Sequence, residues 1–193
     1  YVIVPLALLG TFWVIAAFTG QWPWQSNPYN SYALQTDSWL KGRLDLGQDY
    51  PWLELAIYQG KYFVSFPPFP SYVLIPFVMI FGTNTPDHLI ALLVTIAGCV
   101  YAIKLYREVS LEKQHALFWV LMLYFASGYL FVGMNGYVWF IAQSMSFTLS
   151  LMALYYALRQ KGGLSLAFWA CAVGCRPMLA LYGILLGYLL VKG

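Results

Sequence analysis

Four carboxylates crowd one stretch of the chain: Asp37, Asp45, Asp49 and Glu54, which are four of the seven acids in the whole sequence. Lys41, Arg43 and Lys61 lie among them. That mixture suits two kinds of chemistry. A carboxylate held against an apolar surface has its pKa raised and can act as a general base. Cationic neighbours can hold a phosphate leaving group by charge-assisted hydrogen bonds. The same residues also suit an ordinary solvated loop, and spacing does not choose among the four acids.

Arg176 is the second notable residue. It sits with Pro177 between two apolar runs, where an arginine needs a partner, lines a cavity or snorkels to an interface. Gln143 and Asn135 can line the same cavity or serve as packing and helix-end residues. His88 opens a helix and His115 ends a polar loop; two isolated histidines do not make a metal site. Cys99, Cys171 and Cys175 all lie in apolar runs and read as buried thiols rather than metal ligands. No Gly-rich phosphate loop, HExxH or CxxC pair is present.

The elements that must position these residues come from an unusual composition. The 193 residues are 61% hydrophobic and 9% charged, against about 45–50% and 25% for an ordinary soluble domain. This excludes disorder and recognition of nucleic acid through a basic groove, and it leads us to expect a membrane protein with several spans. Residues 1–20 carry no charge and form the expected first span. Residues 21–82 form an expected ordered external loop. Within it Asn30 caps a short helix to Lys41 that Gly42 stops, the Gln59-Gly60-Lys61 turn suits a short helix or a hairpin, and residues 70–81 form an interfacial or re-entrant helix. Thr85-Pro86-Asp87 is a helix start. Spans are expected at 86–106, 116–132 and 137–158, and residues 164–190 form one kinked span or two short ones meeting at Arg176. The chain opens at Tyr1 inside an apolar run, with no signal peptide visible, and is expected to be part of a longer protein.

If residues 66–82 do not cross, Lys104, Arg107, Lys113, Arg159 and Lys161 share the cytoplasmic side and the long loop lies outside. If they do cross, the charge rule turns the loop inward. The shortness and four prolines of this segment favour the first arrangement.

The run Thr36-Asp37-Ser38-Trp39-Leu40-Lys41-Gly42-Arg43-Leu44-Asp45-Leu46 resembles the first external loop of bacterial multi-span glycosyltransferases of the GT-C fold. The resemblance is to the superfamily of protein O-mannosyltransferases and aminoarabinose transferases. Glu54-Leu55-Ala56, Tyr58, Gly60-Lys61-Tyr62-Phe63, Phe66-Pro67-Pro68, Val138-Trp139, Ala142-Gln143 and Arg176-Pro177 continue the likeness, which covers most of the chain as the N-terminal part of such an enzyme.

The resemblance implies an all-α, polytopic GT-C-like transmembrane bundle with interfacial helices in the first external loop. It implies a transferase of the cell envelope, in the inner (plasma) membrane, with its site on the external or periplasmic face. Such an enzyme moves a sugar from a polyprenyl-phosphate carrier to a glycan, lipid or protein acceptor, inverting the anomeric centre. Asp37 is then the expected catalytic base, with Asp49 or Glu54 as a second carboxylate. Arg43, Lys61 and Arg176 would bind the lipid phosphate. No metal-ligand set is expected, and divalent metal use varies across that fold. The alternatives are a multi-span transporter or flippase-like protein and a non-catalytic membrane assembly subunit.

Overall fold

Turn chemistry divides the apolar runs into helices. A computed structural model describes residues 2–192. In chain order these form α1 (Ile3–Thr19), α2 (Ser31–Leu40), a hairpin of β1 (Leu55–Tyr58) and β2 (Lys61–Val64), α3 (Phe69–Phe81), α4 (Asp87–Val109), α5 (Ala116–Phe125), α6 (Tyr129–Met134), α7 (Val138–Leu158), α8 (Gly162–Cys175) and α9 (Tyr182–Lys192). The strands pair antiparallel, Leu55 opposite Val64 and Tyr58 opposite Lys61. Gln59 and Gly60 both take positive φ, 49° and 72°, as a two-residue hairpin turn of the primed type requires.

The longest helix, α4, is shared by two apolar clusters. On one side Val4, Leu8, Phe12 and Ala16 make a stripe at four-residue spacing along α1, the period of one helix face. They pack with Leu92, Cys99 and Ile103 of α4 and Val120 and Tyr124 of α5. On the other side Ile90 and Ala91 of α4 meet Tyr32 and Ala33 of α2, Leu74 and Val78 of α3, and Ile141 and Met145 of α7. A third, smaller cluster joins Ala153 and Ala157 of α7 to Leu186 of α9.

A buried polar clasp ties the ends of these elements together. The Asp87 carboxylate, 2% exposed at the start of α4, accepts a hydrogen bond from Asn27 Nδ2 at 2.9 Å and one from the Asn27 backbone N–H at 3.4 Å. The same Asn27 amide donates to the Gly136 carbonyl at 3.1 Å. Burial pushes the Asp87 carboxyl up to about 7, and the hydrogen bond from the Asn27 backbone opposes this only in part. A helix N-terminus favours a charged carboxylate, so here desolvation outweighs the helix. Gly136 lies so close that a Cβ on it would stand 2.5 Å from the Asp87 carbonyl carbon.

The fold corrects the expectation of a polytopic GT-C-like bundle: of the expected spans, those at 86–106 and 137–158 fall on helices of sufficient length, and those at 1–20, 116–132 and 164–190 do not. Among the described residues only α4 and α7 are long and apolar enough to cross a membrane; α1, α3, α8 and the segment 177–192 are shorter apolar helices. At 1.5 Å per residue the 17 residues of α1 reach about 26 Å, short of the roughly 30 Å hydrocarbon core. Residues 116–134 divide into α5 and α6, and of the two forms expected at the Gln59-Gly60-Lys61 turn the chain takes the hairpin, so the fold is not all-α. Composition misled because it counts every apolar residue alike. Many are committed to the three clusters, while others, Phe18 and Ile80 among them, remain on the surface.

Two outcomes follow from the clasp. Gly136→Ala should destabilise the fold by about 1–3 kcal/mol through overpacking against backbone. Gly128→Ala, where a new Cβ meets nothing within 4 Å, should stay within about 0.5 kcal/mol of the parent in equilibrium denaturation. For Asp87 the folded pKa lies above the unfolded one, so the neutral carboxyl favours folding. Its contribution is complete below about pH 4 and is lost as pH rises to about 7, a change on the order of 4 kcal/mol. Asp87→Asn keeps an acceptor for Asn27 and should flatten that profile; an unchanged slope between pH 4 and 7 would exclude Asp87 as its source.

Candidate functional site

Helix α2 presents Leu34, Asp37, Ser38 and Lys41, at i, i+3, i+4 and i+7, to a polar hollow of about 440 Å³. Its opposite side is held by buried polar contacts with α3. Thr36 Oγ1 lies 2.8 Å from the carbonyls of Tyr32 and Ser71, and Ser71 Oγ donates to Gln35 Oε1 at 2.6 Å. Asn30 stands at the start of α2, but its side chain does not cap the helix. Its Nδ2 donates instead to the Thr83 carbonyl at 2.9 Å, and Thr83 closes one side of the hollow.

The exit from α2 delivers Arg43. Gly42 takes φ 73°, its N–H bonds the Trp39 carbonyl, and the Arg43 N–H bonds the Ser38 carbonyl, both at 2.9 Å. This paired closure needs a left-handed residue, which glycine adopts without penalty. The loop then passes Gly47, where a Cβ would lie 2.1 Å from Arg43 Nη1. The missing side chain is what lets the guanidinium lie along the loop. The hairpin anchors that loop: Leu46 N–H donates to the Tyr62 carbonyl at 2.8 Å, and Lys61 Nζ lies 3.7 Å from Asp45 Oδ2.

Of the residues singled out in the sequence, Asp37 and Arg43 line the hollow together. Asp37 pairs not with Arg43 but with Lys41, at 2.6 Å one helical turn along. Arg43 has no acidic partner among the described residues. Lys61 is engaged with Asp45 on the hairpin side. Asp49 is exposed and does not line the hollow. Glu54 and Arg176 meet at a separate place, on Trp139. The Trp139 indole donates to Glu54 Oε2 at 3.3 Å, and Arg176 Nη2 donates to the Trp139 carbonyl at 2.7 Å. Gln143 and Asn135 line two different cavities.

Lys41, Gly47 and Thr83 were not singled out as site residues. The i, i+4 spacing of Asp37 and Lys41 was the available signal for the first; the other two are set by tertiary contact. Among the described residues, no group of three or more His, Cys, Asp and Glu side chains is placed to hold a metal.

Comparison with known protein families, curated proteins and solved structures gives no match. Together with the fold, this overturns the GT-C resemblance. The likeness rested on short runs such as Asp37-Ser38-Trp39, which here are part of α2. The transferase activity, the polyprenyl-phosphate sugar donor, the glycan, lipid or protein acceptor and the membrane-lipid partner fall with it. So does the multi-pass inner-membrane placement with an external site, since two rather than a series of helices have the required length. The multi-span transporter or flippase and the membrane assembly subunit rested on the same count of spans and are corrected with it.

Proposed function

We propose that the α2 hollow is a binding site for a small ligand carrying a phosphate-type anion and a hydroxyl group. The observation that carries this is Arg43. Its guanidinium lines a polar hollow of about 440 Å³, lies against Gly47 and has no acidic partner among the described residues. A planar guanidinium matches phosphate oxygens two at a time, and the volume falls in the usual range for small-molecule sites, about 300–1,000 Å³.

Asp37 supplies the acceptor for the ligand's hydroxyl. Its pairing with Lys41 does not prevent this. The Lys41 side chain is 60% exposed, and exposed pairs of this kind contribute only about 0–1 kcal/mol. Lys41 can therefore turn toward the anion while Asp37 keeps a hydrogen-bonding oxygen free. Lys61 and Arg176 act in this reading as supports. Lys61 holds the loop through Asp45, and Arg176 holds the α7–α8 junction through Trp139.

Calorimetric titration with glycerol 3-phosphate tests the proposal, with glycerol as the uncharged control. Binding of the phosphate ester and not of glycerol is expected, weakening as salt rises. Arg43→Ala should weaken it by about tenfold or more. Gly47→Ala, which displaces the guanidinium, should weaken it too. Equal responses to the two compounds, or an Arg43→Ala protein that binds as well as the parent, would rule the site out.

A further inference from the structure

Four bases that charge counting placed together, Lys104, Arg107, Lys113 and Arg159, surround a hollow of about 250 Å³ at the far end of α4 from Asp87. Glu108 and Tyr155 complete its lining. The whole chain has ten Lys and Arg residues and a formal net charge of +3. Four cations against one carboxylate give this single hollow a formal charge of +3 as well, so positive potential is concentrated here.

Three separate segments deliver these charges. Lys104, Arg107 and Glu108 stand at i, i+3 and i+4 on α4, and Tyr155 and Arg159 stand at i and i+4 at the end of α7. Lys113 comes from the short turn Lys113–His115 before α5. A cation in the last turn of a helix complements its dipole, which accounts for Arg107 and Arg159. It accounts neither for Lys104, more than a turn inside α4, nor for Lys113. These two lysines have no carboxylate partner among the described residues. Lys104 Nζ rests instead over aromatic faces, 4.6 Å from the centre of the Tyr101 ring and 5.9 Å from that of Tyr155. Such contacts hold an ammonium in place without neutralising it. Glu108 holds Arg159 loosely: both its oxygens lie 3.4 Å from Arg159 Nη1, beyond the about 2.7–2.9 Å of a strong charge-assisted bond. An exposed pair of this kind gives way to a better anion at little cost.

The geometry points to a site for a diphosphate group in this hollow, held between Lys104 and Lys113 with Arg159 turned from Glu108 onto the anion. The volume falls below the usual range for a drug-sized ligand, about 300–1,000 Å³, so a compact anion suits it. A diphosphate offers two sets of anionic oxygens to cations arriving from three segments, where one phosphate offers a single set. The site shares no lining residue with the α2 hollow and does not rest on it.

Inorganic pyrophosphate, inorganic phosphate and ADP are the probes, titrated by calorimetry without divalent metal ions. The full chain carries Arg43→Ala throughout, which silences the α2 hollow. Pyrophosphate should bind about tenfold or more tightly than phosphate, and less tightly as salt rises. Weaker binding of ADP identifies free diphosphate as the ligand; equal or tighter binding identifies a diphosphate carried by a nucleoside. Lys104→Met should weaken pyrophosphate by about tenfold. Glu108→Gln removes the competing carboxylate and should tighten pyrophosphate by about two- to fivefold, a gain that a damaged fold does not produce. Absence of pyrophosphate binding, equal affinities for pyrophosphate and phosphate, or a Glu108→Gln protein that binds no more tightly would overturn the site.

Discussion

One buried carboxylate ties together three segments that are distant in sequence. Asp87 draws in Asn27 from the segment between α1 and α2, and Asn27 in turn reaches Gly136 at the entry to α7. Tyr29, two residues on, gives its carbonyl to the Val138 N–H at 3.3 Å. The start of α2 is thereby tied to the starts of α4 and α7. The position of the α2 hollow follows, because the helix face that lines it begins at Leu34, only a few residues beyond this anchor. A buried carboxyl with one good partner and one long one is a costly device. Its neutralisation near neutral pH is how the fold keeps it.

The α2 hollow and the α6–α7 turn show two fates of unpaired polar groups. In the hollow the group without an acidic partner is a charge, Arg43, left exposed where water screens it. At the α6–α7 turn it is a neutral oxygen, Asn135 Oδ1, shut away from water. The first arrangement costs the protein little and the second costs more. His88 and Asp87 are adjacent in sequence, yet they bond different groups: Asp87 accepts from Asn27, and His88 Nδ1 accepts the Gly136 N–H.

Local features were readable from the residues alone. Gly42 at the end of α2, the Gln59-Gly60 turn and the Thr85-Pro86-Asp87 helix start all depend on backbone preferences within a few positions. Asp37 and Arg43 were recognised as a pair of interest because they are close in sequence and the exit from α2 keeps them close in space. The clasp was not readable, because Asn27 and Asp87 lie 60 residues apart and Asn27 and Gly136 lie 109 apart. Asp87 in sequence is one more acid in a first helical turn. Arg176 and Glu54 looked like companions of Asp37; the fold takes them instead to Trp139, a residue whose indole and carbonyl serve both. The membrane reading failed for a different reason. Hydropathy records how apolar a run is, but not whether one stripe of it, as in α1, meets another helix.

The three apolar clusters are joined in series: the first two share α4, and the second and third share α7. In the third, Phe168, Trp169 and Tyr182 pack around Ala153, Ala157 and Leu186, with Gln160 Nε2 donating to the Leu189 carbonyl at 3.1 Å. The segment Pro177–Leu181 that leads into α9 is a short 3₁₀ turn. Helix α9 stands at the end of this series, so amide exchange by local opening is expected there before the α4 framework opens.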